Sequence, residues 1–131
     1  MITRSTPDVG YMSSVAFSAI NVSHIVKAGG FVYLSGVVAA QNDEPVALND
    51  PAGQVRCVLD NVERLLASEG LGWENLVAST IYSPVLAEIQ AQLDQFAERF
   101  RGNPPCLTMI GVSKLAAPEF LLEMTVVAFS D

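Results

Sequence analysis

The sequence predicts an α+β fold in which two amphipathic helices pack on one face of a mixed β-sheet. Half of the 131 residues are apolar and 16% are charged, which is ample core material for a single domain over residues 1–131. Two segments repeat apolar residues at helical spacing, and several short runs of β-branched and aromatic residues are bounded by Gly, Pro or Asn. We expect the order β-β-(β)-α-β-α-β-β, where the bracketed strand is optional.

The N-terminal part of the chain predicts an arm followed by a hairpin. Residues 1–19 mix Ser, Thr, Pro and Gly with scattered aromatic residues, which indicates an extended N-terminal arm with room for one short strand. Residues 20–27 are the first predicted strand, residues 28–30 (Ala-Gly-Gly) are a turn, and residues 31–35 are the strand that pairs with the first. Residues 41–51 are rich in Asn, Asp and Pro and predict a solvent-exposed loop.

The first predicted helix begins at Asp50 and Pro51, which suit its N-cap and its first position. Gly70 is expected to end it. Its buried stripe consists of Val55, Val58, Leu59, Val62, Leu65 and Leu66. This pattern describes an amphipathic helix with one face in the core.

The C-terminal half predicts a strand, a second helix and two more strands. Residues 76–83 form the strand, which ends before Pro84. The second helix has apolar residues that step by three and four, namely Leu86, Ile89, Leu93, Phe96 and Phe100. Residues 102–105 (Gly-Asn-Pro-Pro) break this helix, and residues 107–112 and 121–129 are the last two strands.

Composition and charge argue against several classes of function. The formal net charge is −7, and an acidic chain without a basic cluster lacks the Lys and Arg residues that neutralise phosphates, so no nucleic-acid partner is expected. The apolar runs are shorter than the roughly 18 residues of a membrane span, and the N-terminus lacks a signal-peptide pattern. Two cysteines cannot build a disulfide framework, and one histidine cannot build a zinc cluster. We expect a cytoplasmic protein without a membrane partner, metal or other cofactor.

The predicted sheet has more apolar surface than two helices can cover. Residues 31–34 and 124–129 are nearly apolar on both faces of their strands. Small domains bury a smaller fraction of their surface than large ones, so a sheet face that remains after the helices have packed needs cover from another subunit. The sequence therefore predicts a homo-oligomer.

Several spaced motifs together resemble the RidA/YjgF family over roughly residues 20 to 129. They are residues 28–36 (Ala-Gly-Gly-Phe-Val-Tyr-Leu-Ser-Gly), Gln54 with Asn61 and residues 65–70, Pro105 with Thr108, Val112 and Leu115, and residues 123–128. The resemblance implies a chorismate-mutase-like subunit, assembled as a homotrimer that binds a small-molecule ligand in clefts between subunits. It also implies hydrolysis of reactive imines and enamines to keto acids and ammonia.

The chain departs from the family pattern at positions that bear on the ligand. Leu107 stands where the resemblance implies an Arg that grips the substrate carboxylate, and losing one partner of a buried charge pair typically costs ~2–5 kcal/mol. Val22 stands where many members carry an aromatic residue, although Phe17 or Tyr11 from the arm can fill the same space. Val37 replaces a common Gln. These changes predict a more apolar pocket, lined by Leu107, Cys106, Met109 and, as a further candidate, Phe120.

Glu123 is the candidate catalytic residue. An unpaired carboxylate in an apolar strand is costly, so Glu123 is either hydrogen-bonded in the cleft or turned to solvent by strand alternation. The resemblance implies an acid at this position that can position or activate a water. The candidate substrate-binding residues are Ser35, Gly36, Cys106, Leu107 and Thr108, for which ordinary sheet packing is the competing explanation.

Neither Cys106 nor His24 adds a clear catalytic group. A thiolate role for Cys106 lacks an evident neighbouring base, and His24 is interpreted as a strand histidine with a local hydrogen bond. Two functions remain open: a RidA-like enamine or imine deaminase with an altered pocket, and a non-catalytic trimer that binds a small metabolite in the same cleft. Endoribonuclease activity is disfavoured, because neither the net charge nor a pair of His or Lys residues supports RNA cleavage.

Overall fold

The computed structural model describes residues 1–131 and contains one six-stranded mixed sheet. The strands are β1 (Ile2–Ser5), β2 (Ile25–Ala28), β3 (Phe31–Val37), β4 (Ala40–Gln41), β5 (Glu44–Pro45), β6 (Leu76–Ser83), β7 (Cys106–Gly111) and β8 (Glu123–Phe129). The α-helices are α1 (Ser14–Ser18), α2 (Pro51–Ala67), α3 (Leu86–Gln90) and α4 (Leu93–Phe100). No helix is long and apolar enough to cross a membrane.

The main sheet has the strand order β1-β2-β3-β8-β6-β7, and β4 and β5 form a separate two-stranded sheet. All neighbours in the main sheet are antiparallel except β6 and β7, which are parallel. The crossover between the two parallel strands contains α3 and α4, as parallel pairing requires a long connection. The α+β fold predicted from the sequence is confirmed.

Several predicted elements lie where the sequence placed them. The hairpin of β2 and β3 has the register Ile25 to Leu34 through Ala28 to Phe31. At the start of α2, the Asp50 carboxylate accepts a hydrogen bond from the Gly53 amide at 3.0 Å, and this N-cap satisfies a donor that the helix leaves free. The strand predicted over residues 76–83 is β6.

Three predictions about the N-terminal half differ from the structure. The predicted strand over residues 20–27 begins only at Ile25, because α1 and its C-terminal turn occupy the preceding residues. The Ser13 hydroxyl caps α1 by accepting from the Ala16 amide at 3.3 Å, so part of the expected extended arm is helical. The loop over residues 41–51 also contains the short strands β4 and β5, which start at Ala40.

Two further boundaries differ in the C-terminal half. The predicted second helix is two helices, because Gln92 leaves helical geometry (φ −104°, ψ 18°) between α3 and α4. The last strand begins at Glu123 and not at Leu121. The Leu121 amide donates to the Gln54 side chain at 2.8 Å, and its carbonyl accepts from Ser83 at 2.6 Å, so side chains take its backbone groups out of the sheet ladder.

The core lies between the sheet and the helices. Val32, Leu34, Ile81, Met124 and Val126 project from the sheet and are buried together with the apolar stripe of α2. The opposite side of the sheet, here called the open face, packs on no helix of the chain. It carries Phe31, Tyr33, Ala78, Thr80, Tyr82, Cys106, Thr108, Ile110, Glu123, Thr125, Val127 and Phe129, all of them half-buried or exposed.

Candidate functional site

Glu123 lies at the beginning of β8, on the open face. The register places it opposite Tyr82 of β6, while the next residue, Met124, points into the core. Its carboxylate lies directly over Gly36, since a Cβ built on Gly36 would be 2.5 Å from the Glu123 Oε2 atom. Gly36 lies within the register shift between Leu34 and Val37 in β3, where the backbone departs from regular strand pairing. The absence of a side chain at Gly36 therefore makes room for the carboxylate.

The Glu123 carboxylate is half-buried and forms neither an ion pair nor a hydrogen bond within the chain. Desolvation by burial raises the pKa of this carboxyl, because burial disfavours its charged form. The sequence left two alternatives for Glu123, a hydrogen bond in the cleft or exposure to solvent, and neither describes the carboxylate within one chain. Glu123 is partly removed from solvent and yet unpaired, which is typical of groups that act on a ligand or a proton.

Tyr11 is brought to the same end of the sheet by the N-terminal arm. Its carbonyl accepts a hydrogen bond from the Asp43 amide at 3.0 Å, and the Gly10 carbonyl accepts from Asn42, so the arm is attached to the turn between β4 and β5. The Tyr11 hydroxyl accepts from the Val38 amide at 3.0 Å, and the side chain is only 2% exposed. Burial, with a contribution from the nearby Glu123 carboxylate, raises the pKa of Tyr11 to about 12.

The two aromatic residues proposed to replace the missing one at Val22 have different roles. Val22 itself is 41% exposed. Tyr11 is buried, and it brings an aromatic side chain close to Glu123. Phe17 stacks on the His24 ring with 3.9 Å between the ring centroids. His24 is buried and lies before β2, and its Nε2 donates to the Met12 carbonyl at 2.9 Å. Burial lowers the pKa of His24, which favours the neutral ring.

His24 therefore has the local hydrogen bond that the sequence predicted, but it is not on a strand. Ser35 is also engaged locally, because its hydroxyl donates to the Ser23 carbonyl at 2.7 Å and its amide donates to the His24 carbonyl at 2.9 Å. A ligand near Ser35 would meet a hydroxyl that already has an acceptor. The oxygen lone pairs of Ser35 remain available as acceptors.

The candidate residues on β7 lie on both faces of the sheet. Cys106 and Thr108 are exposed on the open face, in register with Ala78 and Thr80 of β6. Leu107 and Met109 alternate with them, point towards the helices and pack against the core. Within one chain, Leu107 and Glu123 are thus on opposite faces of the sheet. The expected pocket of Leu107, Cys106, Met109 and Phe120 does not form as one cavity inside the chain.

Leu107 lines a different cavity, an apolar groove of about 440 Å³ beside α4. The groove is also lined by Phe96, Phe100, Pro104 and Pro105. It does not include Glu123 or Gly36. The structure therefore gathers Glu123, Gly36, Tyr11 and Tyr82 at one end of the open face and leaves Leu107 on the helix side.

Sequence reasoning proposed Glu123 and Gly36 but did not include Tyr82 among the site residues. Its position opposite Glu123 depends on the register of β6 and β8, and no local pattern in the sequence encodes that register. Cys57 is buried on α2 with a pKa raised by burial, so it is a thiol and not a thiolate. No three His, Cys, Asp or Glu side chains are grouped as metal ligands would be.

The protein class follows from this fold together with comparisons to known proteins. The model of the family described as Endoribonuclease L-PSP matches residues 14–130. The chain belongs to this family, which is the RidA/YjgF family predicted from its motifs.

Two curated relatives illustrate the similarity in sequence. The chain is 29% identical over 103 residues to the 3-aminoacrylate deaminase RutC of Acinetobacter baylyi, covering 78% of this chain and 81% of the relative. It is 26% identical over 127 residues to the mitochondrial protein MMF1 of Saccharomyces cerevisiae, covering 97% and 86% of the two chains.

Solved structures show the same fold. The Rid-family protein YyfA of Yersinia pestis superposes with a TM-score of 0.86 at 24% identity, covering 98% of this chain and 99% of the other. Rv2704 of Mycobacterium tuberculosis, a member of the YjgF/YER057c/UK114 family, gives a TM-score of 0.81 at 24% identity with the same coverage.

Proposed function

We propose that the protein is a RidA-like deaminase that hydrolyses a reactive imine or enamine to a carbonyl compound and ammonia. The observation that carries the proposal is the unpaired, half-buried carboxylate of Glu123, held over Gly36 at an end of the open face. Burial raises the pKa of this carboxyl towards the range in which a general base works best. The similarity to the 3-aminoacrylate deaminase RutC supports the same reaction class.

In the proposed reaction Glu123 takes a proton from a water molecule while the water oxygen forms a bond to the imine carbon. The electron pair of the C=N π bond moves to nitrogen, which takes the proton from Glu123, and a carbinolamine results. Glu123 then removes the proton of the carbinolamine oxygen and returns it to the nitrogen as the C–N bond breaks, so the carboxylate is regenerated. Imine and water are thereby converted to a carbonyl compound and ammonia, with no external oxidant or reductant.

The proposed active unit is a homotrimer with ligand clefts between its subunits. The open face carries apolar and Thr side chains, and no helix of the chain covers it. β7 pairs only with β6, so one edge of this strand is free to meet another copy. Because Leu107 and Glu123 of one chain lie on opposite faces, we propose that a cleft takes Glu123 from one copy and β7 from its neighbour. Leu107 of the neighbour would then contact substrate from across the interface, whereas Cys106 and Thr108 would contact it from the open face, which also carries Glu123.

The absence of an Arg at position 107 shapes the proposed substrate. A carboxylate beside Leu107 would lose hydration without gaining a charged partner, which is unfavourable in a shielded cleft. The proposed substrate is therefore a less acidic or more apolar imine. We also propose a cytoplasmic location, which is supported by two free cysteines that lack a disulfide partner.

The second candidate is a non-catalytic trimer that binds a small metabolite in the same cleft. Leu107 favours it, because the proposed site lacks a cation at that position to hold a carboxylate substrate. RNA cleavage is not part of either proposal. The net charge of −7 opposes RNA binding, and His24 is buried with its Nε2 bonded to a carbonyl.

The test is ammonia and carbonyl release from a panel of imines generated in situ, with and without carboxylates. Glu123→Gln should abolish turnover because it cannot accept the water proton. Glu88→Gln is the matched control, since it makes the same change of charge on the exposed surface of α3. Turnover in the native protein and in Glu88→Gln alone supports the deaminase. A native protein that is silent on the whole panel, yet shows saturable binding of an imine or keto analogue, supports the metabolite-binding trimer.

A further inference from the structure

Two unsatisfied polar groups lie close together at the Gly36 end of the open face. The Tyr11 hydroxyl accepts one hydrogen bond, from the Val38 amide, and its own hydrogen has no acceptor within the chain. The Tyr11 residue is only 2% exposed, so its hydroxyl has little access to bulk solvent. The Glu123 carboxylate accepts no hydrogen bond within the chain. A buried donor without an acceptor and a half-buried acceptor without a donor each carry a cost, which a shared partner would remove.

Both groups are held at the same short segment of the chain, residues 36–38. The Tyr11 hydroxyl is fixed to the Val38 amide, and the Glu123 carboxylate covers Gly36, two residues earlier. Between them, Val37 pairs with Met124, the residue that follows Glu123. No direct bond joins the two side chains, although they are near enough for the carboxylate charge to act on the phenol.

We propose that Tyr11 is the positioning residue for Glu123: its hydroxyl donates to a water molecule that in turn donates to the Glu123 carboxylate, above Gly36. In this arrangement one lone pair of the water oxygen accepts the phenol hydrogen, and the carboxylate accepts one hydrogen of the water. The other lone pair stays free to attack an electrophilic carbon. The inference rests on the proposed role of Glu123 as a base, and it adds a second residue that sets where the water lies.

Few other ionisable groups face this water position. Tyr82 of β6 lies opposite Glu123, and Cys57 of α2 lies near the Tyr11 hydroxyl. The His24 ring lies 5.5 Å from the Tyr11 ring, and burial lowers the His24 pKa, which favours the neutral imidazole. β3 contains no ionisable side chain besides the exposed Tyr33, and β8 contains none besides Glu123. Burial keeps both Tyr11 and Cys57 protonated at neutral pH, because it raises the pKa of each. Tyr11 is thus a hydrogen donor throughout the range in which Glu123 titrates.

The first test follows the Glu123 carboxyl by ¹³C NMR in the native protein, Tyr11→Phe and Tyr33→Phe. Tyr11→Phe no longer holds the water that donates to the charged carboxylate, so the Glu123 pKa should rise by about one unit in this variant. Tyr33→Phe is the matched control, because it also removes a tyrosine hydroxyl. Tyr33 is 46% exposed and pairs with Val127, which lies four residues from Glu123 on β8. Equal Glu123 titration in all three proteins would overturn the proposal.

The second test keeps Tyr11 in place, so it does not depend on the folding of a variant. In native protein labelled at the tyrosine ¹³Cζ, the Tyr11 resonance should show an inflection at the pH where Glu123 titrates, and Glu123→Gln should remove it. A Tyr11 resonance that is flat through that range contradicts the proposal. Neither readout requires turnover. Silence on the imine panel with both NMR results positive would refute the deaminase alone, whereas turnover with an unchanged Glu123 titration in Tyr11→Phe would refute the positioning role alone.

Discussion

The Glu123 carboxylate occupies the space that a Cβ on Gly36 would need, with only 2.5 Å between the Glu123 Oε2 and the position of that Cβ. The two residues belong to neighbouring antiparallel strands, although they are far apart in the chain. A carboxylate that rests on a glycine has backbone on one side and remains open on the other. This geometry allows Glu123 to be partly desolvated and still available to a ligand.

Gly36→Ala should therefore displace Glu123. The added methyl group cannot fit without moving the carboxylate, so we expect a loss of about 1–3 kcal/mol in the free energy of unfolding and loss of turnover. Chemical denaturation and the imine assay measure the two effects. Gly111→Ala is the control, because its Cβ would meet Leu86 at an ordinary 3.7 Å. Wild-type stability and activity in Gly36→Ala would contradict the close packing described above.

The stability of the protein should depend on pH through Glu123. Its folded pKa is raised by burial, so the folded state binds the proton more tightly than the unfolded state does. This contribution to stability is fully present below the ordinary glutamate pKa and is lost as pH rises through the higher folded pKa. Glu123→Gln should thus be more stable than the native protein at pH 7, with the difference vanishing in acid. Urea titrations at pH 7 and at a pH below the ordinary glutamate pKa, with Glu88→Gln as control, measure this difference.

Leu107→Arg should restore affinity for carboxylate substrates. If β7 of one copy lines the cleft that contains Glu123 of the next, the new guanidinium can bind a substrate carboxylate, and KM for an imino acid should fall about tenfold or more. The methyl ester of the same imino acid serves as the internal control, and its KM should not fall. Equal effects on acid and ester would mean that residue 107 lies outside the cleft.

Arg99 should contribute to stability more than Arg101 does. Arg99 lies on α4 and forms an ion pair with Asp60 of α2, with 2.6 Å between the Arg99 nitrogen and the Asp60 oxygen. Only 23% of the Arg99 side chain is exposed, and its guanidinium lies over the Trp73 ring. Arg101 pairs with Glu98 at the same distance, but both side chains are mostly exposed. We expect Arg99→Ala to lower the free energy of unfolding by about 1–3 kcal/mol and Arg101→Ala by less than about 0.5 kcal/mol. Equal losses of unfolding free energy in the two variants would contradict a stabilising role for the Arg99–Asp60 ion pair between α4 and α2.

The sequence alone determined the fold class, the family and most of the secondary structure. These follow from short-range signals, such as the apolar stripe of α2, the N-cap at Asp50 and the Ala-Gly-Gly turn before β3. The same signals placed Glu123 in a strand and marked Gly36 as a point of close approach. They could not foresee that Leu121 leaves the ladder of β8, because that depends on the Gln54 and Ser83 side chains.

Only the tertiary structure decided which candidate residues meet. The register of β6 and β8 brings Tyr82 to Glu123, and the attachment of the arm to the β4–β5 turn brings Tyr11. Strand alternation sends Leu107 to the opposite face, although its direct neighbours in the chain, Cys106 and Thr108, lie on the open face. Long-range pairing is set by the combined packing of many strands and helices, so a pattern confined to one segment carries no information about it. Local patterns in the sequence therefore predict the fold class of this protein, whereas the residues that meet in its site depend on how distant segments pair.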